Sequence, residues 1–144
     1  AVTDGLFASR GSAELQAEDR RLGSALARVL ETLDLPEASA WVARPRLCHL
    51  TLYALATARW NLRLAEAATA WLFAWCENQA AAAMRLIPLG QTSGLRLLEQ
   101  ARRVIPDCVA AGLALSDDDA GWGCPGVALA SASHETQYSR LFRS

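Results

Sequence analysis

The sequence contains no lysine: all 14 basic residues of the 144-residue chain are arginine. Without lysine the chain cannot carry a phosphate-binding loop of the GxxxxGK[ST] type, a kinase-type lysine or a Schiff-base lysine. Aromatic residues make up only 7% of the chain, and β-branched residues are sparse. Because alanine and leucine supply most of the 52% hydrophobic fraction, the composition favours helices over sheets.

The chain also lacks a surplus of either charge, with 14 basic and 15 acidic residues. This balance does not favour nucleic-acid binding, which usually needs clustered positive charge. Residues 1–10 lack the apolar run of a signal peptide. The longest charge-free apolar stretch, Ala67 to Cys76, is too short for a bilayer, which needs about 20 residues. We therefore expect one soluble, cytoplasmic domain over residues 1–144, with no membrane contact.

The spacing of apolar residues, with proline and glycine as stop signals, predicts an all-α fold. We expect a single helical bundle of about six helices with a C-terminal tail. The predicted helices, in chain order, are about Ser12–Leu33, Pro45–Trp60, Leu64–Ile87, Thr92–Val104, Pro106–Leu115 and one starting at Pro125, with Glu37–Arg44 as a connection or short helix. The third of these is apolar around most of its circumference, which is typical of a helix central to a core.

Few residues indicate catalysis or metal binding. Cys48 with His134 is the candidate nucleophile and base, but no local pattern supports the pair, and a buried structural thiol is favoured. The four cysteines form no CxxC pair and are expected to be small buried side chains. Paired metal ligands at short spacing are absent, and Asp117–Asp119 lacks the alternating ligands of a calcium loop. We predict no catalytic residue, no metal site and no cofactor.

Polar residues interrupt the apolar third helix at Glu77-Asn78-Gln79. A buried carboxylate there would need hydrogen-bond partners, so a polar core network is one interpretation. The other is a subunit interface, since small side chains allow close helix approach. Both interpretations involve the same candidate residues: Glu77, Ala80, Ala81 and Ala83.

The segment 133–144 is too polar for a core helix yet rich in residues that interfaces use as anchors. A frayed terminus is the alternative. Composition favours a partner-binding tail, whose candidate residues are His134, Glu135, Gln137, Tyr138, Arg140, Leu141, Phe142 and Arg143.

Four segments in the same order resemble the urease accessory protein UreF family. The terminal run HETQYSRLFRS (134–144) is similar to the family's C-terminus, and PGVALAS (125–131) to a family helix. Residues 77–91, ending IPLGQ, resemble the family's glutamate helix and its following turn, and residues 9–23 resemble the opening of a long family helix. Gly11-Ser12 and Leu95 depart from the usual pattern, and the family's N-terminal Pro-Val-Gly-Gly motif is not in this sequence. The chain resembles the C-terminal two-thirds of such a protein.

The resemblance implies an all-α protein that is not an enzyme. It implies a nickel-insertion scaffold, or chaperone, for urease apoprotein that joins UreD (UreH in some species) and recruits and regulates the GTPase UreG. Nickel would be carried by the partner proteins, and the chain would form a homodimer. By the same resemblance, the tail from His134 to Arg143 would help form the partner-recruiting surface. Our hypothesis is that its apolar anchors enter a partner groove while its arginines pair with acidic groups; the anchors are Tyr138, Leu141 and Phe142, and the arginines are Arg140 and Arg143. The alternative hypothesis is a helical protein that itself binds or senses nickel.

Overall fold

The structure, a computed structural model, describes residues 2–116, 119 and 123–138. It is 77% helical, with no strand among these residues, which confirms the predicted all-α fold. One 3-10 helix, Pro36–Ala38, precedes the third of seven α-helices, which are α1 (Val2–Ala8), α2 (Ala13–Thr32), α3 (Ser39–Val42), α4 (His49–Arg59), α5 (Leu64–Leu86), α6 (Gln91–Leu113) and α7 (Pro125–Glu135). None of the helices in this part of the chain is long and apolar enough to cross a membrane.

Helix boundaries follow the sequence where capping is local. Ser12 caps α2, because its hydroxyl oxygen accepts a hydrogen bond from the Leu15 amide at 3.2 Å. Helix α5 begins at Leu64 and α7 at Pro125, as predicted. Helix α1 was not predicted; its Phe7 is buried, and the Arg20 guanidinium stacks on the Phe7 ring at 5.6 Å.

Two predicted boundaries are wrong. The second predicted helix starts at His49 and not at Pro45, because the Asp19 carboxylate accepts the His49 amide and satisfies the helix start from outside. The predicted break at Pro106 does not occur either, since α6 is continuous through that residue. Proline removes one helical hydrogen bond, but α6 packs along α5 on both sides of this position in the sequence, where Ile105 and Val109 are buried.

The chain forms two compact units: Ala1–Trp60 with Gly121–Ser144, and Asn61–Ala120. The assignment of residues 1–144 to one domain stays a prediction. In the first unit, α2 packs against α4 and the segment between them. Its core consists of buried apolar side chains from these elements: Ala27, Leu30, Leu35, Ala38, Leu47, Leu52 and Ala56. The close packing depends on Gly23, where an added Cβ would lie 2.9 Å from Cγ of Leu47.

The second unit is a hairpin of the two longest helices, α5 and α6. The prediction that α5 is buried on most sides is wrong, because only Ala67 and Ala80 of this helix are buried. Large apolar side chains such as Phe73 and Trp75 are exposed. The cysteine prediction is also wrong in part: all four are free and Cys48 is buried, but Cys76 is half-buried and the other two, Cys108 and Cys124, are exposed.

Candidate partner-binding site

Helix α7 lies against the start of α2, through residues that recur along one face of α7. An added Cβ on Gly11 would lie 2.9 Å from Cβ of Ala128, and Gly11 has a φ of 71°, so glycine suits both the close approach and the backbone. One turn further along α7, the Ser131 hydroxyl lies 2.7 Å from the hydroxyl of Ser12, the N-cap of α2. The two helices therefore meet through small side chains and a hydroxyl pair.

The last turn of α7 adds two carboxylate contacts at the same place. Nδ1 of His134 lies 2.8 Å from Oε2 of Glu14. The Glu14 amide donates a hydrogen bond to Oε1 of Glu135 at 3.1 Å. Glu14 is the second residue of α2, so its amide is one of the four that no helical carbonyl can accept. A carboxylate at a helix N-terminus is also favoured by the helix dipole.

The residues that make this junction are Ser12, Glu14, Ser131, His134 and Glu135, and we call them the α2–α7 contact. Because α7 ends at Glu135, the first three residues of the predicted tail, from Ser133, are helical. Residues 133–135 were expected to lie outside the core because they are polar. In the structure, His134 and Glu135 contact the start of α2, which is polar as well. Two predicted partner-binding residues, His134 and Glu135, thus bind within their own chain.

The predicted tail residues beyond α7 differ in their surroundings. The Gln137 amide donates to the carbonyl of His134 at 3.1 Å, which continues the turn that closes the helix. Tyr138 is fully exposed. The remaining candidates, Arg140, Leu141, Phe142 and Arg143, lie outside the described residues. The assignment of the tail to partner binding stays a prediction.

A second polar cluster surrounds Asp19, which is buried in α2. Its Oδ2 accepts hydrogen bonds from Nε of Arg10 at 2.9 Å and from the Cys48 thiol at 3.0 Å. Its Oδ1 accepts the His49 amide at 3.0 Å. This carboxylate therefore joins three segments: the loop before α2, α2 itself and the start of α4.

The environment of this cluster shifts the pKa of three of its groups, and the shift at Cys48 opposes nucleophilic chemistry. Burial, with the neighbouring Asp19 carboxylate, raises the pKa of the Cys48 thiol, whereas a nucleophile needs a thiolate. Burial also lowers the pKa of His49. For Arg10, burial lowers the pKa, but the hydrogen bonds and charge attraction from Asp19 and Cys48 together outweigh it, so the pKa of Arg10 is raised and it stays charged. His134, the proposed base, pairs with Glu14 instead.

The candidate dimer or core residues lie on α5 in the second unit. Glu77 is exposed, so it forms no buried polar network in this structure. Ala80 is buried, while Ala81 and Ala83 are half-buried. Their role in a subunit interface stays a prediction.

The same hairpin carries a groove of about 610 Å³ between α5 and α6. Its charged rim is already paired: Glu66 binds Arg63, and Arg102 donates to Glu99 at 2.8 Å. The Arg102 hydrogen bond lowers the pKa of the exposed Glu99 to about 2. Apolar and small side chains line the rest of the groove: Ala65, Thr69, Ala70, Phe73, Ile105 and Pro106. No group of three or more histidine, cysteine, aspartate or glutamate residues in the described ranges could hold a metal ion.

Sequence reasoning missed the Asp19 cluster and the α2 side of the α2–α7 contact. Their members are far apart in the chain, and no spacing rule connects Glu14 with His134. Only two weak patterns in the sequence pointed to the α2–α7 contact. One is the Gly-Ser pair before a helix, and the other is the helical spacing of polar residues in 131–135.

Comparison with known proteins shows that this helical chain is similar to members of one protein family. A sequence profile of the UreF family matches residues 1–102. The chain is 58% identical over 139 residues to the urease accessory protein UreF of Alkalilimnicola ehrlichii. This match covers 96% of this chain and 61% of that protein. It is 45% identical to the UreF protein of Hahella chejuensis, in a match that covers 96% of this chain and 62% of that protein. It is also 45% identical to the UreF protein of Chromohalobacter salexigens, in a match that covers 98% of this chain and 61% of that protein. No solved structure gives a significant match.

The fold and these matches define a helical protein of the urease accessory class. More particularly, the chain belongs to the UreF family. It spans about three-fifths of the length of the curated relatives that it matches.

Proposed function

We propose that this chain is a scaffold in urease maturation, which joins UreD (UreH) and recruits and regulates the GTPase UreG at the urease apoprotein. In this proposal the chain is a cytoplasmic homodimer and not an enzyme. It holds no cofactor, because the nickel is carried by the partner proteins. Membership of the UreF family supports a part in urease maturation.

The observation that carries the partner-binding part of the proposal is the exposed Tyr138 directly after an anchored helix end. A tyrosine offers a large apolar ring and a hydroxyl, which makes it a frequent anchor in protein interfaces. Tyr138 is fully exposed and lies three residues beyond the last residue of α7. A side chain in this position is accessible to a partner without any rearrangement of the core.

The experiment is co-purification of the chain with UreD, and then with UreG added. The Tyr138→Ala/Arg143→Ala variant is expected to lose at least about thirtyfold in affinity, because a single hot-spot residue contributes about 2 kcal/mol or more. The matched control is Leu129→Ala, which removes an exposed apolar side chain from the neighbouring α7. UreG turnover of GTP, measured with and without the complex, tests the regulatory part.

The positive control is the full-length relative from Alkalilimnicola ehrlichii with the same partners. If that protein binds UreD and this chain does not, the proposal fails for this chain. If the double variant binds as tightly as the parent, the tail is not the binding site and the interface lies on the helices.

The homodimer needs a test of its own. Ala83→Glu places a charge at a half-buried position of α5, whereas Ala110→Glu places one at an exposed position of α6. Light scattering should detect a monomer for the first variant and a dimer for the second. A parent chain that is monomeric at all concentrations would contradict the dimer.

The alternative, a helical protein that itself binds or senses nickel, predicts stoichiometric retention of the metal. Equilibrium dialysis of the isolated chain against Ni²⁺ distinguishes it from a scaffold, which should retain little. One equivalent of tightly bound nickel per chain would favour this alternative.

A further inference from the structure

We infer that His134 and Glu135 do not contact the partner but position the residues that do, so that the partner surface starts at Tyr138. This inference rests on the proposed function, and it divides the predicted tail into an anchoring part and a contacting part. The anchoring part is the α2–α7 contact.

The first argument is that the contact fixes the end of α7 in more than one direction. Ser131 meets the N-cap Ser12 at 2.7 Å, and one turn later His134 meets Glu14 at 2.8 Å. Glu135 accepts the backbone amide of Glu14 at 3.1 Å. Two adjacent residues of α7 thus contact the side chain and the backbone amide of Glu14, which restrains both the rotation and the translation of the helix end.

The second argument is that these polar groups are already occupied. The Glu135 carboxylate satisfies an amide at the first turn of α2, where a negative charge is favourable. A partner that recruited Glu135 would first have to break this interaction and leave the Glu14 amide without its acceptor. Tyr138 carries no such cost, because it is fully exposed.

The third argument concerns affinity. Helix ends fray when nothing holds them, and a flexible segment loses conformational freedom when it binds. Anchoring α7 through Glu135 restricts the chain before the partner arrives, and Tyr138 follows only three residues later. Loss of the anchor should therefore weaken binding even though no contacting group has changed.

The test uses the α2 side of the contact, which lies outside the tail. Glu14→Gln and His134→Ala each remove the carboxylate–imidazole pair, and Glu14→His/His134→Glu restores it with the two groups exchanged. We expect each single variant to lose about five- to tenfold in affinity for UreD, the size expected for one side-chain hydrogen bond. The exchanged double variant should recover at least half of that loss on a logarithmic scale. Glu31→Gln, an exposed carboxylate on α2, is the matched control and should bind as the parent does.

A second measurement tests the anchoring of the end of α7 in the absence of any partner. Hydrogen exchange at the amides of Thr136 and Gln137, which bond to the carbonyls of Ser133 and His134, should accelerate about five- to tenfold in each single variant. The exchanged double variant should slow it again.

The outcomes separate the hypotheses. If His134→Ala weakens binding but Glu14→Gln does not, or if the double variant recovers slow exchange but not affinity, His134 contacts the partner and the inference is overturned. Unchanged exchange in all variants also overturns it. If the exchange results follow expectation but no variant, including the parent, binds UreD, the proposed function fails while the anchoring of α7 stands.

Discussion

Replacement of Asp19 by asparagine tests whether the buried carboxylate holds α2 and α4 together. Asparagine has the same shape but no charge, and its amide group brings two donors to a position that is surrounded by donors. Oδ2 of Asp19 accepts Arg10 and Cys48, and Oδ1 accepts the His49 amide. Asparagine can keep at most one of these two acceptor positions.

The magnitude follows from burial. Removal of one partner from a fully buried ion pair costs about 3–5 kcal/mol. Asp19 is 6% exposed, but the Arg10 side chain is 34% exposed, so water can solvate part of the unpaired positive charge. We therefore expect Asp19→Asn to lower the free energy of unfolding by about 2–3 kcal/mol. For a chain of this length, that corresponds to a fall in Tm of about 8–12 °C.

The assay is urea unfolding of the parent and the variant, followed by far-UV circular dichroism. Glu31→Gln removes the same charge from an exposed position of α2 and should change stability by less than about 0.5 kcal/mol. The double variant Arg10→Met/Asp19→Leu should be more stable than Asp19→Asn, since no charge is left unpaired. A loss below about 1 kcal/mol for Asp19→Asn, or a loss equal to that of Glu31→Gln, would refute the reasoning.

Three further predictions concern single positions. Asp34 has a φ of 61° at the end of α2, so Asp34→Gly should raise the free energy of unfolding by about 0.5 kcal/mol; a lower urea midpoint would contradict this. Leu52 is fully buried, so Leu52→Ala should cost about 2–5 kcal/mol, whereas Leu64→Ala at a 70% exposed position should cost less than about 1; equal losses in urea unfolding would show that the core is assigned incorrectly. The pKa of Glu99 is lowered from 4.5 to about 2 by Arg102, so their pairing stabilises the fold above about pH 4.5 and is lost as the pH falls through 2. Carboxyl NMR titration should place that pKa near 2 in the parent and closer to 4.5 in Arg102→Gln; an unchanged titration would exclude the pair.

The accuracy of the sequence predictions depended on where each signal lies. Ser12 caps α2 through its own side chain and a neighbour three residues away, so the helix start could be read directly. The start of α4 at His49 depends on a carboxylate 30 residues earlier, which no local pattern contains. Pro106 is a strong local stop signal, yet α6 continues through it in a helix that packs along α5.

The candidate site was predictable only in outline. The resemblance to the UreF family singled out the C-terminal segment, and composition identified its anchor residues. The intramolecular role of His134 and Glu135 could not be predicted, because their partner residue Glu14 is 120 positions away. The prediction that α5 is buried was wrong for a related reason. Apolar composition indicates that a helix needs a covering surface, but it does not identify the neighbour that provides one.

The all-α class, the exclusion of lysine-dependent chemistry, the family and the locally capped helices could all be predicted without a structure, because each depends on composition or on short segments. Three features emerge only from the packing: which helix faces are covered, how Asp19 joins three segments, and that the last turn of α7 is held by the first turn of α2. These features depend on contacts between residues far apart in the chain. Burial and polar partners are therefore properties of the packed structure, and local periodicity cannot specify them.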